Sequence, residues 1–209
     1  MTEGFKTEQE AFWSGAFGDD YVDRNRGEVL AAGRTHMFSN ALRRAGTIGS
    51  AVEFGPNIGL NLVALRRLLP AIDLAAVEIN AKAVESLKRM DGVEVHHGSI
   101  LDRHVTRTFE LAFCSGVLIH INPDALPTVY DNLHAASHRL ILLAEYYNPA
   151  PVAIPYRGHA ERLFKRDFAG EMLDRFPDLR LVDYGFQYHR DPNFPADDLN
   201  WFLLEKTGR

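Results

Sequence analysis

Short unbroken apolar runs and i, i+3, i+4 sets of apolar residues alternate along this chain, the spacings of buried strands and of helices packed on them. Ile48, Val52 and Phe54 predict a first strand, Gly55 to Gly59 a tight turn, and Leu60 to Leu69 a helix. Leu74-Ala75-Ala76-Val77 predicts a second strand ending on Glu78, after which Asn80 is placed to cap a helix carrying Ala83, Val84, Leu87 and Met90. The third strand, Val93 to His96, turns at residues 98–102, and the fourth runs from Phe109 to Gly116. Asn122-Pro123-Asp124 is a helix start, with a cap, a proline at the first helical position and an acid in the first turn, for a helix to about Ser137. Leu140 to Ala144 suits a buried parallel strand and is too short to cross a membrane. A Pro-rich loop to Tyr156-Arg157-Gly158-His159 follows, then a helix from about Asp167 to Phe176 and strands near Leu179 to Tyr188 and Trp201 to Leu204. Closing strands joined without a long helix imply an antiparallel hairpin at the end of an otherwise parallel sheet.

This alternation predicts an α/β fold with a Rossmann-like, mostly parallel sheet, an antiparallel last strand and helices on both faces. Ahead of it, Thr7 to Phe38 mixes aromatics (Phe12, Trp13, Phe17, Tyr21) with the charged run Asp23-Arg24-Asn25-Arg26-Gly27, and a helix from about Gly27 to Arg44 leads into the first strand. The division is an N-terminal helical cap over 1–45 and one ligand-binding domain over 46–209. The aromatics serve equally to pack the cap on the domain. With 209 residues, 46% of them hydrophobic, the chain supports one substantial core and no second full domain. A formal charge of −5 without a long basic run argues against nucleic acid as a partner. The N-terminus is polar, no apolar run reaches membrane-spanning length and Cys114 is alone, so a cytoplasmic protein is expected. His134 and His138 stand four apart but lack a third ligand nearby, and no metal is expected.

Candidate chemistry centres on Val52 to Asn61. A strand, a glycine turn and a helix together aim backbone N–H groups at a ligand, and glycine stands where a side chain would block the approach. A dinucleotide fingerprint counted from Gly55 needs small residues at 57 and 60, where the chain has Asn57 and Leu60. Glu78 lies 78 − 59 = 19 residues beyond Gly59, where nucleoside-binding α/β domains place the carboxylate that accepts the ribose hydroxyls. Taken alone, that acid would pass for an ordinary strand-end surface residue.

Counted as acidic-x-G-x-G-x-G, the loop resembles that of class I S-adenosylmethionine methyltransferases: Glu53, Gly55 and Gly59 match, and Asn57 replaces the middle glycine. Asn tolerates left-handed backbone better than other non-glycine residues, so the departure is mild. The closing antiparallel hairpin is likewise the methyltransferase variation, with a seven-stranded sheet. More narrowly, Phe12-Trp13-Ser14-Gly15, the run from Asp23 to Gly27, Gly116-Val117-Leu118-Ile119-His120-Ile121-Asn122-Pro123, Glu145-Tyr146-Tyr147-Asn148-Pro149 and Ile154-Pro155-Tyr156-Arg157-Gly158-His159 resemble the methylases associated with pseudaminic acid biosynthesis.

This resemblance implies S-adenosylmethionine as cofactor and methyl transfer to oxygen or nitrogen of a small polar acceptor, a sugar or nucleotide-activated sugar of a nonulosonic pathway being the suggested one. Glu53, Gly55, Asn57, Gly59, Glu78 and Gly116 are then expected around the cofactor, with Arg24 or Arg26 on its carboxylate, although a surface ion pair suits either arginine as well. At the adenine corner Ile100 covers the ring, and Ser99 or Asp102 accepts from its amino group; a strand-to-helix turn with Ser99 as N-cap explains the same residues. Tyr21, Asn148, Tyr156, Arg157 and His159 are expected on the acceptor side, the last two binding an acidic sugar or phosphate, or only tying down their loop. His120, Glu145 and Tyr146 are the candidate catalytic groups, His120 as base or as a structural histidine beneath the cleft. A monomer or homodimer without membrane or nucleic-acid partners is expected. A nucleoside-binding module without catalysis and an NAD-dependent oxidoreductase are the competing readings.

Overall fold

The computed structural model describes residues 4–24 and 28–208. Its centre is a seven-stranded sheet ordered β3-β2-β1-β4-β5-β9-β8. The strands are β1 Ser50–Phe54, β2 Asp73–Glu78, β3 Val93–His97, β4 Phe109–Ser115, β5 Ser137–Glu145, β8 Leu179–Phe186 and β9 Asn200–Lys206. The pairings among β3, β2, β1, β4 and β5 are parallel, whereas β9 runs antiparallel to both β5 and β8. The central strands are largely apolar because both faces are covered, the exceptions being polar residues at their starts and the acids Glu53, Glu78 and Glu145 at or near their carboxyl ends. One face packs Met37, Phe38 and Ala41 of α3 (Glu28–Ala41) and Leu62 and Leu65 of α4 (Leu60–Leu68). On the other, Leu126, Val129 and Leu133 of α6 (Leu126–Ala136) join Phe168 and Met172 of α7 (Phe168–Arg175). No helix of the described residues is long and apolar enough to cross a membrane.

Two connections differ from expectation. No helix joins β3 to β4: residues 98–108 form a turn and extended chain, in which Ile100, Leu101 and Val105 are buried. A stretch holding Val105, Thr106 and Thr108, with no second turn of apolar residues, lacks the stripe a helix needs. Ser99 therefore caps no helix. The Pro-rich loop is instead a hairpin of β6 (Val152–Tyr156) and β7 (His159–Lys165). Arg157 (φ 48°) and Gly158 (φ 85°) form its turn, both left-handed as a two-residue hairpin turn requires. Pro155 is compatible because the hairpin is two-stranded and both strands are edges.

Of the cap expected over 1–45, α1 (Glu8–Ser14) and α2 (Ala16–Arg24) lie over the carboxyl ends of the strands, whereas α3 packs on the face of the sheet; the first two are called the cap below. Thr7 and Glu10 form a reciprocal capping box at the start of α1. The latch to the domain is polar. Asn80 caps α5 (Ala81–Leu87), accepting from the Ala83 amide at 2.9 Å, while its side-chain NH₂ donates to the Trp13 carbonyl (3.2 Å) and to Asp19 (2.9 Å). A Cβ at Gly18 would stand 1.9 Å from the Trp13 carbonyl oxygen and 2.8 Å from the Asn80 amide, so only glycine permits this approach. Ion pairs from Lys82 to Asp23 (2.7 Å), Arg162 to Glu8 (3.1 Å) and Lys6 to Asp102 tie the rim.

Because Asn80 both caps α5 and holds the cap, Asn80→Ala should lose about 0.5–2 kcal/mol of stability in urea unfolding. It should also speed proteolytic cleavage within residues 8–24. Lower stability without faster cleavage there would show that the cap is held by other contacts.

Candidate functional site

Between the cap and the ends of β1, β2 and β4 lies a cleft open to solvent on one side. Its floor is the turn after β1, where Gly55 (φ 76°), Asn57 (φ 51°) and Gly59 (φ 83°) are all left-handed. Packing behind the turn also demands glycine: a Cβ at Gly55 would lie 2.8 Å from the Val117 side chain, and one at Gly59 would lie 2.6 Å from the Met90 sulfur. Asn57 in that conformation turns its amide onto Glu78 Oε2 at 2.8 Å. The Asn80 amide donates to Glu78 Oε1, also at 2.8 Å. Burial raises the Glu78 pKa, against the lowering effect of the Asn80, Asn57 and Ile79 amides. Gly116 (φ 67°) lines the cleft, and a Cβ there would meet nothing within 4 Å.

Glu53, the other acid near the turn, is buried behind it; its Oε1 accepts from Asn61 at 2.6 Å, and its Oε2 has no partner among the described residues. Burial pushes its carboxyl up to about 8, opposed by the Asn61 hydrogen bond and the Arg34 charge and reinforced by Glu78. The side-chain oxygens of Asn57 and Asn61 are likewise buried and unpartnered among the described residues. The turn thus presents acceptors and lacks donors for them.

At the β3 end of the cleft, Ser99 donates its hydroxyl to Glu10 Oε1 and accepts from the Leu101 amide at 3.0 Å, with Ile100 beside it. Asp102 is exposed and paired with Lys6, outside the cleft lining. Of the arginines expected on a cofactor carboxylate, Arg24 is exposed with its guanidinium 5.6 Å from the Phe17 ring, away from the cleft, and Arg26 lies outside the described residues. Arg34 lines the cleft instead. It sits three and four residues before Met37 and Phe38, on the apolar face of α3, and a charge on that stripe was the signal for it.

His120 ends a 3₁₀ turn, Leu118–His120, and lines the cleft. Its Nδ1 lies 2.5 Å from the Arg162 carbonyl oxygen, which requires the proton on Nδ1 and leaves Nε2 a lone pair. Burial lowers its pKa to about 4, although the Arg162 carbonyl opposes this. Trp13 and Tyr156 flank the ring, with centroids 4.6 and 4.8 Å away. Tyr21 lines the cleft edge-on to Trp13 at 5.4 Å, its phenol pushed up by burial.

Glu145 does not line the cleft. Its carboxylate is buried and accepts from the amides of Val117 (3.0 Å), Leu118 (3.1 Å) and Ile119 (3.4 Å), so it anchors the turn that carries His120 rather than facing a reactant. Tyr146 is half-buried under Lys165, 5.2 Å from its ring, and Asn148 turns to the Ala150 carbonyl at 2.5 Å. Arg157 and His159 are exposed at the hairpin tip, Arg157 5.8 Å from the Tyr156 ring and His159 against Phe12 (5.0 Å) and Phe17 (5.7 Å). Glu10, Trp13, Arg34 and Asn61 line the cleft without having been singled out as site residues. His134, on the far side, stacks on Phe176 and pairs with Asp178; among the described residues no group of His, Cys, Asp and Glu could hold a metal.

The sequence matches no family model and no curated protein. Solved structures do match. Burkholderia thailandensis 1,6-didemethyltoxoflavin-N1-methyltransferase, solved with 1,6-didemethyltoxoflavin and S-adenosylhomocysteine, superposes over 100% of this chain and 94% of its own, at 14% identity and TM-score 0.74. Magnesium protoporphyrin IX methyltransferase of Synechocystis PCC 6803, with bound S-adenosylhomocysteine, covers 95% of this chain and 100% of its own, at 13% identity and TM-score 0.68. The glycopeptide N-methyltransferase MtfA covers 89% and 98%, at 14% identity and TM-score 0.64. The chain therefore has the Rossmann-like methyltransferase fold expected from its sequence.

The buried acids set a pH dependence. Glu53 rises from an ordinary 4.5 to about 8 and Glu145 from 4.5 to about 7, so between those values the folded chain holds protons that the unfolded chain has lost. Stability is then greatest near pH 5 and falls toward pH 8, by an amount of the order of a few kcal/mol. Glu53→Gln should flatten that fall and be more stable than the native chain at pH 8. Melting temperatures across this range that rise with pH, or that the substitution leaves unchanged, would refute the assignment.

Proposed function

We propose that the chain is an S-adenosylmethionine-dependent methyltransferase acting on oxygen or nitrogen of a small polar acceptor. The observation that carries this is Glu78: a buried carboxylate at the end of β2, facing a cleft floored by a left-handed turn. Its oxygens are held at 2.8 Å by the Asn57 and Asn80 amides and line the cleft, a placement in which a carboxylate can take vicinal ribose hydroxyls. The remainder of the cleft fits the same group. The unpartnered oxygens of Asn57 and Asn61 suit an ammonium, the Arg34 fork suits a carboxylate, and the open space at Gly116 leaves room for the methyl-bearing end.

When bound, S-adenosylmethionine supplies a methyl group already activated by positively charged sulfur, with a neutral thioether as leaving group. The protein's part is placement. Holding reactants in near-attack geometry supplies about 7–11 kcal/mol, whereas a general base adds about 10²–10⁴-fold. His120, with its pKa near 4, is a weak base and a good orienter: its free Nε2 accepts from an acceptor O–H or N–H and holds the lone pair toward the donor. Glu145 is a positioning residue that fixes the His120 turn through three amides. Trp13, Tyr21 and Tyr156 wall the reacting end from water. The acceptor class we favour is a sugar or nucleotide-activated sugar. Support comes from the sequence strings that resemble those of the pseudaminic acid-associated methylases, and from the Arg157 guanidinium and His159 ring exposed at the hairpin tip.

Glu78→Ala should weaken S-adenosylhomocysteine binding by about 100-fold or more, since two hydrogen bonds to a charged group are lost. Unchanged calorimetric affinity would remove ribose from this position. His120→Gln should retain turnover within about tenfold, and the pH profile of kcat/KM should show no histidine limb near 6.5. A limb at that pH in the native enzyme that vanishes in His120→Gln would make His120 the base after all. Activated sugars and labelled donor provide the assay.

A further inference from the structure

The β3 end of the cleft holds a carboxylate that the fold does not account for. Glu10 is buried although it belongs to the first turn of a rim helix, and it lines the cleft beside Ser99, Ile100 and Leu101. Its two oxygens have different employment. Oε2 accepts from the amides of Lys6 (2.5 Å) and Thr7 (3.2 Å), which satisfies the start of α1. Oε1 is turned across the cleft to Ser99, and capping does not require that. Accepting the Ser99 proton also prevents the serine from donating elsewhere, while the serine oxygen is occupied by the Leu101 amide.

Resting on the cofactor proposed above, with ribose on Glu78, the cleft has one direction left for the base, toward Ile79, Ser99, Ile100 and Leu101. Adenine offers flat apolar faces and one exocyclic amino group, and an amino group buried in an apolar corner without an acceptor is costly. Among the described residues only Glu10 and Glu78 bring carboxylates to the cleft lining, and Glu78 is committed. Asn80 spends its oxygen on Ala83 and its NH₂ on the cap, and Asp102 points to Lys6. We infer that the Glu10 carboxylate, oriented by Ser99, accepts the adenine amino group, so that the N-terminal cap supplies the residue that selects an adenine base. Ser99 acts as a relay rather than as the reader, and cofactor binding and cap docking reinforce each other.

The test compares binding of S-adenosylhomocysteine with that of its deaminated counterpart, S-inosylhomocysteine, in which a carbonyl replaces the amino group. Native chain should favour the adenosyl compound by about 100-fold, because the carbonyl would face a carboxylate. Glu10→Gln, which both donates and accepts, should bring the two affinities within about threefold, and Glu10→Ala should weaken the adenosyl compound at least tenfold. Thr7→Ala breaks the same capping box from its other side and should keep the native preference. That separates reading of the base from support of α1, with melting temperatures confirming folded variants. Native-like preference in Glu10→Gln overturns the inference, as does its loss in Gln9→Ala instead, since the unpartnered oxygen of Gln9 also lies at the cleft. Folded native chain that binds neither compound defeats the cofactor itself, and this inference with it. Binding that Glu78→Ala abolishes while Glu10→Gln still discriminates defeats this inference alone.

Discussion

A carboxylate buried at the end of a strand is expensive unless donors converge on it, and the ends of this sheet are built around that constraint. Glu78 shows it most fully. Its oxygens are strung between the Asn57 amide of the turn after β1 and the Asn80 amide that opens α5. Asn57 reaches it only from left-handed backbone, which in turn is framed by the left-handed Gly55 and Gly59. Asn80, fixed on its other side, is the residue to which the cap is tied. Turn, sheet and cap are therefore positioned through one side chain, and a ligand that uses its spare lone pairs sits where all three meet.

The three strand-end acids differ in how completely the protein satisfies them. Glu145 at the end of β5 takes three amides and serves the backbone. Glu78 takes two charge-assisted hydrogen bonds at 2.8 Å and keeps acceptor capacity on the side facing the cleft. Glu53 has one donor, from Asn61, and an oxygen without any among the described residues. Burial raises its carboxyl to about 8, with the Asn61 hydrogen bond and the Arg34 charge opposing. Of the three, Glu78 alone lines the cleft.

Much of this was legible in residue order, and what was not has a common cause. Strands and the glycine turn announce themselves through local periodicity, and Glu78 through its spacing from that turn. Asn57 could be read as compatible with left-handed backbone before its angle was seen. Glu145 could not be sorted from a reacting acid, because whether a strand-end carboxylate turns to the cleft or to the adjacent loop depends on the turn after a neighbouring strand. The hairpin at Val152–Tyr156 was hidden by its prolines, which read as loop. Arg34 carried a signal, a charge on an apolar helical face, but one that is usually settled by a buried ion pair. Glu10 carried none beyond a capping box, since its meeting with Ser99 spans 89 residues of sequence.

The cap is where energetics and access meet. Among its described residues, only Val22 contributes a side chain to the buried apolar set, and Phe12, Trp13 and Phe17 are half-buried. The rest of its hold is polar or aromatic: the Asn80 hydrogen bonds, those of Ser99 to Glu10 and of Gln9 to the Glu161 carbonyl, ring contacts to His120, Tyr156 and His159, and rim ion pairs each worth less than about 1 kcal/mol. An element attached mainly by such contacts opens at a lower free energy than the sheet beneath it. The cleft lies under that element, so entry of a nucleoside-sized ligand requires no disturbance of the core. Glu10 on the cap and Glu78 on the sheet line the same cleft from opposite sides of that seam, so contact with both would tie the cap to the domain.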